Sequence, residues 1–354
     1  MAIKKKYGFI DTTGNVVIQP LEVDLITDFC EGLASFKRDN KWGVIDRNGN
    51  IVVEPKFDDV VKYCQGVASF KICNKYGLLD KSGNQIIEPI YDYIAGSCDV
   101  IGRIAQLNKK WGWIDNSGQI IIDFSFDEVC PFHEDLAAVS YNLQWGFIDT
   151  KGQWKITPQY KKASYFSEGL APVSIDTRKW VYINVDNEIK SPTFDSYRCL
   201  PYHNGIAFLQ NPGEFRPIAL NGNPVNKDKY TAISDWNDGL LKVEKSKKTA
   251  YLKPDGKLVK GRFEGGEDFC DGFAAVSISY KEAHYITTDG KMLETPEIRV
   301  ANSFSEGLAT SITAENESIA INKDGKVVFS LPKGCNFLGN FHDGLAQISV
   351  KEDI

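Results

Sequence analysis

The sequence predicts an all-β fold of ten tandem three-stranded antiparallel units, and three observations carry that expectation. Gly14, Gly49, Gly83, Gly118, Gly152, Gly222, Gly256, Gly290 and Gly325 recur 34 or 35 residues apart, with Asn187 in the one gap. Three short strand signals, separated by turn residues, recur inside each period. The ends are complementary, because the chain opens in the middle of a unit and closes on the first strand of one. A fixed period in this range marks a supersecondary unit that cannot bury its apolar face alone and is stabilised by stacking on its neighbours. Residues 1–354 therefore read as one repeat domain, with well-preserved copies in 1–175 and degenerate ones in 176–354.

The first strand of the unit, strand a, is Leu33 to Arg38, with counterparts at Leu136 to Tyr141, Leu170 to Ile175, Phe273 to Ile278 and Leu308 to Thr313. A tight polar turn at Asp39-Asn40-Lys41 leads into strand b, Trp42 to Asp46, whose alternate residues point to opposite faces. Asp46 to Gly49 predicts a hairpin turn: the carboxylate can bond backbone amides two residues on, and glycine supplies the positive φ the loop needs. Strand c follows as Asn50 to Pro55, and Pro20, Pro55, Pro89 and Pro158 are expected to stop it at one register, since proline lacks the amide a central strand donates. Between c and the next a, two aromatics recur, as in Phe57 and Tyr63 or Tyr160 and Phe166, and these rings are expected to plug the gap between units.

At the ends, Lys6 to Ile10 is a strand b with no strand a before it, and Leu345 to Val350 is a strand a with nothing after it. Pairing the two would complete one unit and close a propeller-like toroid, hiding the sheet edges. Ordinary propellers have four to eight four-stranded blades, so an open superhelical β array is the alternative.

The best-preserved copy, Gly32 to Phe57, reads GLASFKRDNKWGVIDRNGNIVVEPKF. It resembles the WG-repeat family, named for the Trp-Gly pair found here at Trp42-Gly43, Trp111-Gly112 and Trp145-Gly146, with Tyr replacing Trp at Tyr7-Gly8 and Tyr76-Gly77. The resemblance extends over essentially the whole chain and implies a repeat scaffold used for interaction, with no reaction attached. Asp46 and Gly49 are part of the same signature. The three tryptophans are expected to fill equivalent pockets between repeats, and the glycine beside each to let a neighbouring ring lie on the backbone.

Composition narrows the function classes. Hydrophobic residues make up 42% and charged residues 25% of the 354, ordinary values for a globular chain. The longest apolar stretches are a few residues, too short to span a membrane as a helix, and the first repeat begins by Lys6 without room for a signal peptide, so the expected location is cytoplasmic. A net charge of −6 argues against nucleic acid, whose binding needs a basic footprint. Cys30, Cys64 and Cys98 lie one repeat apart and Cys270 shares their register, which suits free cysteines at an equivalent buried position better than disulfides.

No convergent catalytic or metal-binding set emerges. Asp11, Asp46, Asp80, Asp115 and Asp149 occupy the same hairpin turn, so they read as structural, and the turn offers too few oxygens for calcium. His133, His203, His284 and His342 lie in different repeats; Cys130-Pro131-Phe132-His133 would need two more ligands for zinc, and none stands out. No cofactor is expected. Lys41, Lys75, Lys110 and Lys179, with Lys6 and Lys248, precede the aromatic of strand b in one register and could form a basic rim. The later repeats lose the aromatic-Gly pair, and Tyr202, His203, Phe215, Arg216 and Trp236 lie where the departure is greatest. Aromatics with arginine are the residue types enriched at binding hot spots, so these five are the candidate partner-binding residues.

The expected function is a non-enzymatic scaffold for another protein or peptide. An inhibitor or immunity-type protein that blocks an enzyme or toxin is the first alternative. A small-ligand binder or enzyme using a central channel is the second.

Overall fold

Each unit is built around the a–b hairpin. Leu33–Arg38 and Lys41–Asp46 pair from Leu33↔Asp46 to Arg38↔Lys41, closed by the two-residue loop Asp39-Asn40 with φ of 50° and 62°. Two consecutive positive φ values define the hairpin turn whose twist matches that of the strands. The computed structural model describes residues 6–59 and 62–350, and among these the strands group into ten such units. The strand a ranges Leu136–Tyr141 and Leu308–Thr313 are found as expected, while two others shift to Ala171–Asp176 and Phe273–Ser279. No helix occurs among the described residues, and none is long and apolar enough to cross a membrane.

The expected three strands become four in most units. After strand c the connection contributes a short strand beside strand a, as at Leu25–Ile26, where Ile26 pairs with Phe36. Six sheets are four-stranded, those of Ile206–Asn211 and Leu240–Lys245 are three-stranded, and the last two units on the C-terminal side merge into one seven-stranded sheet through Ala283↔Ile298. In the two three-stranded units strand c is reduced to isolated bridges such as Phe215↔Tyr230 and Thr249↔Phe263.

Proline does not stop strand c. Ile51–Phe57 and Trp154–Tyr160 run through Pro55 and Pro158, because a bulge absorbs each ring. The step from Trp42 to Val44 on strand b is matched by the longer step from Phe57 to Val53 on strand c. The bulged backbone folds over the glycine of the Trp-Gly pair: a Cβ on Gly146 would lie 2.5 Å from the Ile156 carbonyl oxygen and 2.8 Å from the Pro158 nitrogen. Glycine is thus required there by the neighbouring strand's backbone rather than by a ring from the next unit, although the Phe36 ring also crowds Gly43.

The turn aspartates are structural, as expected. Asp46 Oδ1 accepts the backbone N–H of Asn48 and of Asn50, each at 2.9 Å, while Gly49 takes φ 81°. The same geometry recurs at Asp11, Asp80, Asp115 and Asp149.

The core is a series of clusters at the seams between units. The connection aromatics do fill them: Phe57, Tyr63, Tyr160 and Phe166 are buried, and Phe166 packs edge-on to Phe147 at 4.8 Å. Trp42, Trp111 and Trp145 correct the expectation, because all three are half-buried and only flank the clusters. The Lys37 ammonium lies 5.8 Å from the Trp42 ring centre, a wet, cation-bearing position. Phe166→Ala should therefore cost about 3–5 kcal/mol and Trp145→Ala less than half as much; equal losses in urea denaturation would contradict this ranking.

The terminal strands share one sheet. Lys6–Asp11 and Leu345–Val350 pair antiparallel over six residues, from Lys6↔Val350 to Asp11↔Leu345. Cys335–His342 lies on the other side of Leu345–Val350, and Val16–Glu22 beyond Lys6–Asp11.

Candidate binding site

The residue before the recurrent Gly-Leu-Ala is a carboxylate in most units, and the structure gives it a task the spacing alone did not reveal. Glu31 accepts the backbone N–H of Gln65 and Gly66 at 2.6 and 2.9 Å, Glu134 that of Gly169 at 3.0 Å, and Glu168 that of Gly205 at 3.0 Å. Asp238, Asp271 and Glu306 accept from Gly272, Gly307 and Gly344. Asp343 accepts from Gly32 at 2.7 Å, joining the last unit to the early ones. These carboxylates latch one unit to the next and are thereby spent; among the described residues no group of three or more His, Cys, Asp or Glu side chains could hold a metal ion.

Arg103, which the sequence reading did not single out, supports another seam. It is fully buried, and its guanidinium donates to the Asn116 side chain and to the carbonyls of Ala95, Gly96, Cys64 and Val67. The eight cysteines are free, but the shared register of Cys30, Cys64, Cys98 and Cys270 is not a buried one. The first three are half-buried and Cys270 is exposed, because the position lies where units meet; Cys98 N–H donates to Cys64 Sγ at 3.2 Å.

The lysines of the expected rim are not free charges. Lys41, Lys75 and Lys110 pair with Asp58, Asp92 and Asp127 at 2.5, 2.6 and 2.6 Å, each aspartate following its unit's strand c. At Lys179 the neighbouring Arg178 takes the equivalent Asp195 instead. Each of these positions is therefore neutralised locally rather than contributing to a basic rim. The lysine hydrogen bond holds each of Asp58, Asp92 and Asp127 below the usual carboxylate value, and the Asn84 amide does the same for Asp80. A depressed folded value means stability that is complete above the unfolded value near 3.8 and is lost as pH falls through the folded one. Melting temperature should be flat from neutrality to about pH 5 and fall below about pH 4, and a rise on acidification in a pH series of thermal melts would contradict that assignment.

The five candidate partner-binding residues separate. Tyr202 is fully buried; it occupies the seam-plug position held elsewhere by Phe132 or Phe166, and its hydroxyl donates to the Ala219 carbonyl at 2.9 Å. It belongs to the core. Phe215 and Trp236 are both half-buried against the cluster around Tyr230, and Arg216 is exposed and paired with Glu214; neither Phe215 nor Arg216 lines the cavity that His203 and Trp236 share. His203 and Trp236 do come together, across two units.

Both line a cavity of about 340 Å³ with Tyr165, Arg198 and Asp235, over a floor that includes Leu200, Phe208 and Leu241. Three consecutive units contribute, because Tyr165, His203 and Trp236 all lie in the connections that precede strand a. The polar wall is ordered. Ser167 Oγ donates to the Tyr202 carbonyl at 2.5 Å, leaving its oxygen to face His203 Nδ1 at 3.5 Å. The other imidazole nitrogen, Nε2, lies 3.1 Å from the Tyr165 hydroxyl, a hydrogen bond whose donor depends on the tautomer. Tyr165 is held from behind by His133, stacked at 4.0 Å. Burial raises the Tyr165 pKa, the Asp235 charge adds to this and the Arg198 charge opposes it. Burial also lowers the His133 pKa, favouring the neutral ring. Among the described residues, neither Arg198 nor Asp235 has an ion-pair partner.

A second cavity, of about 400 Å³, is lined by Phe29, Cys30, Lys62, Tyr63 and His342 at the equivalent connections of the early units. Its charged groups are partly mutual, with His342 Nε2 3.7 Å from Asp28.

Comparison with solved structures finds BamB from Moraxella catarrhalis at 10% identity, covering 73% of this chain and 96% of that one, with a TM-score of 0.35. A eukaryotic initiation factor is 10% identical over 94% of this chain and 96% of its own, with a TM-score of 0.49. Hsv2 from Kluyveromyces lactis is 11% identical over 74% and 92%, with a TM-score of 0.37. None of these carries a function to this chain. No curated protein matches it. A family model, the WG containing repeat, matches residues 7–42, 42–76, 76–96, 111–142 and 145–180. Across these five segments, within residues 7–180, the chain carries repeats of the WG-repeat family.

Proposed function

We propose that the chain is a closed ten-unit toroid serving as a non-enzymatic scaffold, and that it binds another protein or peptide at the Tyr165–Arg198–Trp236 cavity. Three separate contacts support closure: the Lys6–Asp11 and Leu345–Val350 pairing, the Asp343 carboxylate on the Gly32 amide, and Phe329 packed against the Gly14 turn. The observation that carries the binding assignment is the cavity itself. Three successive units converge on it with aromatic side chains and an arginine, within the sector where the repeats depart most from their common pattern. Tyrosine, tryptophan and arginine are enriched among the anchors that dominate binding energy at interfaces.

The test is affinity capture from the native host with wild type and with Arg198→Ala plus Trp236→Ala, each binding event repeated with purified partner. A protein retained by the wild type and lost both by the double variant and by Arg198→Ala alone, with the single variant melting as the wild type does, is the expected result. A partner held equally by the wild type and the double variant would move the site elsewhere on the scaffold.

A further inference from the structure

We propose that this cavity captures the C-terminal residue of a partner polypeptide, with Arg198 on the terminal carboxylate and the last, apolar side chain on the floor of Leu200, Phe208 and Leu241. The inference rests on the scaffold reading and adds the chemistry of the ligand.

Charge decides the first half. Arg198 and Asp235 line one cavity, yet neither is paired among the described residues. Both are exposed and solvated, so an occupant that engages the two presents an anion to the guanidinium and a donor to the carboxylate. A planar guanidinium matches a carboxylate with two parallel hydrogen bonds. The main-chain N–H groups that precede a terminal carboxylate are the donors Asp235 can accept. A phosphate dianion has no donor to offer Asp235 and would be repelled by it, so the Arg–Asp combination favours a chain end over a phosphorylated side chain.

Volume and lining decide the second half. At about 340 Å³ the space lies at the low end for a ligand pocket, enough for one large residue and no more. Phe208 and Leu241 are buried at its base, which suits an apolar side chain and leaves the hydroxyls of a sugar without partners there. Tyr165 is fixed from two sides, by the stacked His133 ring and the His203 bond, so the wall is preorganised and little ordering cost attaches to binding. An internal stretch of peptide would bring no terminal carboxylate to Arg198.

The experiment uses the full chain and fluorescein-labelled hexapeptides, Gly-Ser-Gly-Ser-Gly-X, with X as Leu, Phe or Lys, each as free acid and as C-terminal amide, read by fluorescence anisotropy. The Leu or Phe acid should bind, with the amide and the Lys peptide at least tenfold weaker. Arg198→Gln should weaken the acid at least tenfold while melting as the wild type does, Trp236→Ala should weaken it as far while folding cooperatively at a lowered melting temperature, since the ring also packs on the Tyr230 cluster, and Lys41→Gln should leave it unchanged. Equal binding of acid and amide, indifference to Arg198→Gln, or no binding of any peptide at millimolar concentration would overturn the proposal. Free leucine or phenylalanine displacing the peptide as well as the unlabelled hexapeptide does would overturn it in favour of a small-molecule site. If the peptides fail but Arg198→Ala plus Trp236→Ala still releases a captured partner, the scaffold reading stands and only the terminal-carboxylate assignment falls.

Discussion

Deleting residues 345–354 is expected to lower the melting temperature by roughly 10 °C or to abolish cooperative folding. The removed strand is central in its sheet, flanked by Lys6–Asp11 on one side and Cys335–His342 on the other. Leu345, Ala346 and Ile348 on it are buried, at 2%, 0% and 3% exposure. Losing buried Leu and Ile side chains costs about 2–5 kcal/mol each, and two new sheet edges are opened besides. Total stabilities of native domains are only about 5–15 kcal/mol, so the deletion takes a large share. Were the strand merely the frayed end of an open array, the truncated protein would melt within about a degree of the full chain, and thermal denaturation separates the two.

Arg103→Met is expected to be among the most damaging point substitutions. Five hydrogen bonds converge on this one guanidinium, at 2.9 Å to Asn116 Oδ1 and between 2.7 and 3.2 Å to four backbone carbonyls. Two of these carbonyls, of Cys64 and Val67, belong to the preceding unit, so the side chain ties two units together. Methionine fills much of the volume and supplies no donor, leaving buried acceptors that each cost about 1–3 kcal/mol unpaired. A loss of about 4 kcal/mol or more follows, even with partial relaxation. Arg103→Lys should recover part of it, since an ammonium carries three donors. A Met variant within about 1 kcal/mol of wild type in urea denaturation would mean that water replaces the guanidinium without difficulty.

The parts of this molecule that repeat were legible in the sequence. The turn glycine with its aspartate placed the b–c hairpin, Leu-Ala-x-Phe placed strand a, and the complementary ends placed the pairing of Leu345–Val350 with Lys6–Asp11. The short fourth strand was not legible, because two residues such as Leu25–Ile26 carry no period and are recruited by the edge of strand a. Proline misled for a related reason: the bulge that accommodates Pro55 is a property of the b–c register and leaves no mark on strand c alone.

The site was half legible. His203 and Trp236 were found because they depart from the repeat, but Tyr202 was grouped with them although it stands where Phe132 and Phe166 stand, three residues before the turn glycine or its equivalent. That alignment could have assigned it to the core. Tyr165, Arg198 and Asp235 had no signal, because a cavity assembled from three units depends on how the units turn against each other. The lysine rim was correct in register and wrong in charge, since the aspartate that neutralises each lysine lies 17 residues on, in the connection after strand c.

Closure is tested most directly by circular permutation. New ends are opened between Asn142 and Leu143, in a two-residue hairpin loop where Leu143 is 85% exposed, and Val350 is joined to Lys6 through 351–354 followed by 1–5. A closed toroid predicts a permutant that folds cooperatively and melts within a few degrees of the parent, because the joined strands already lie side by side at Lys6↔Val350. A permutant that fails to fold, or melts more than about 10 °C lower, would contradict the closed ring.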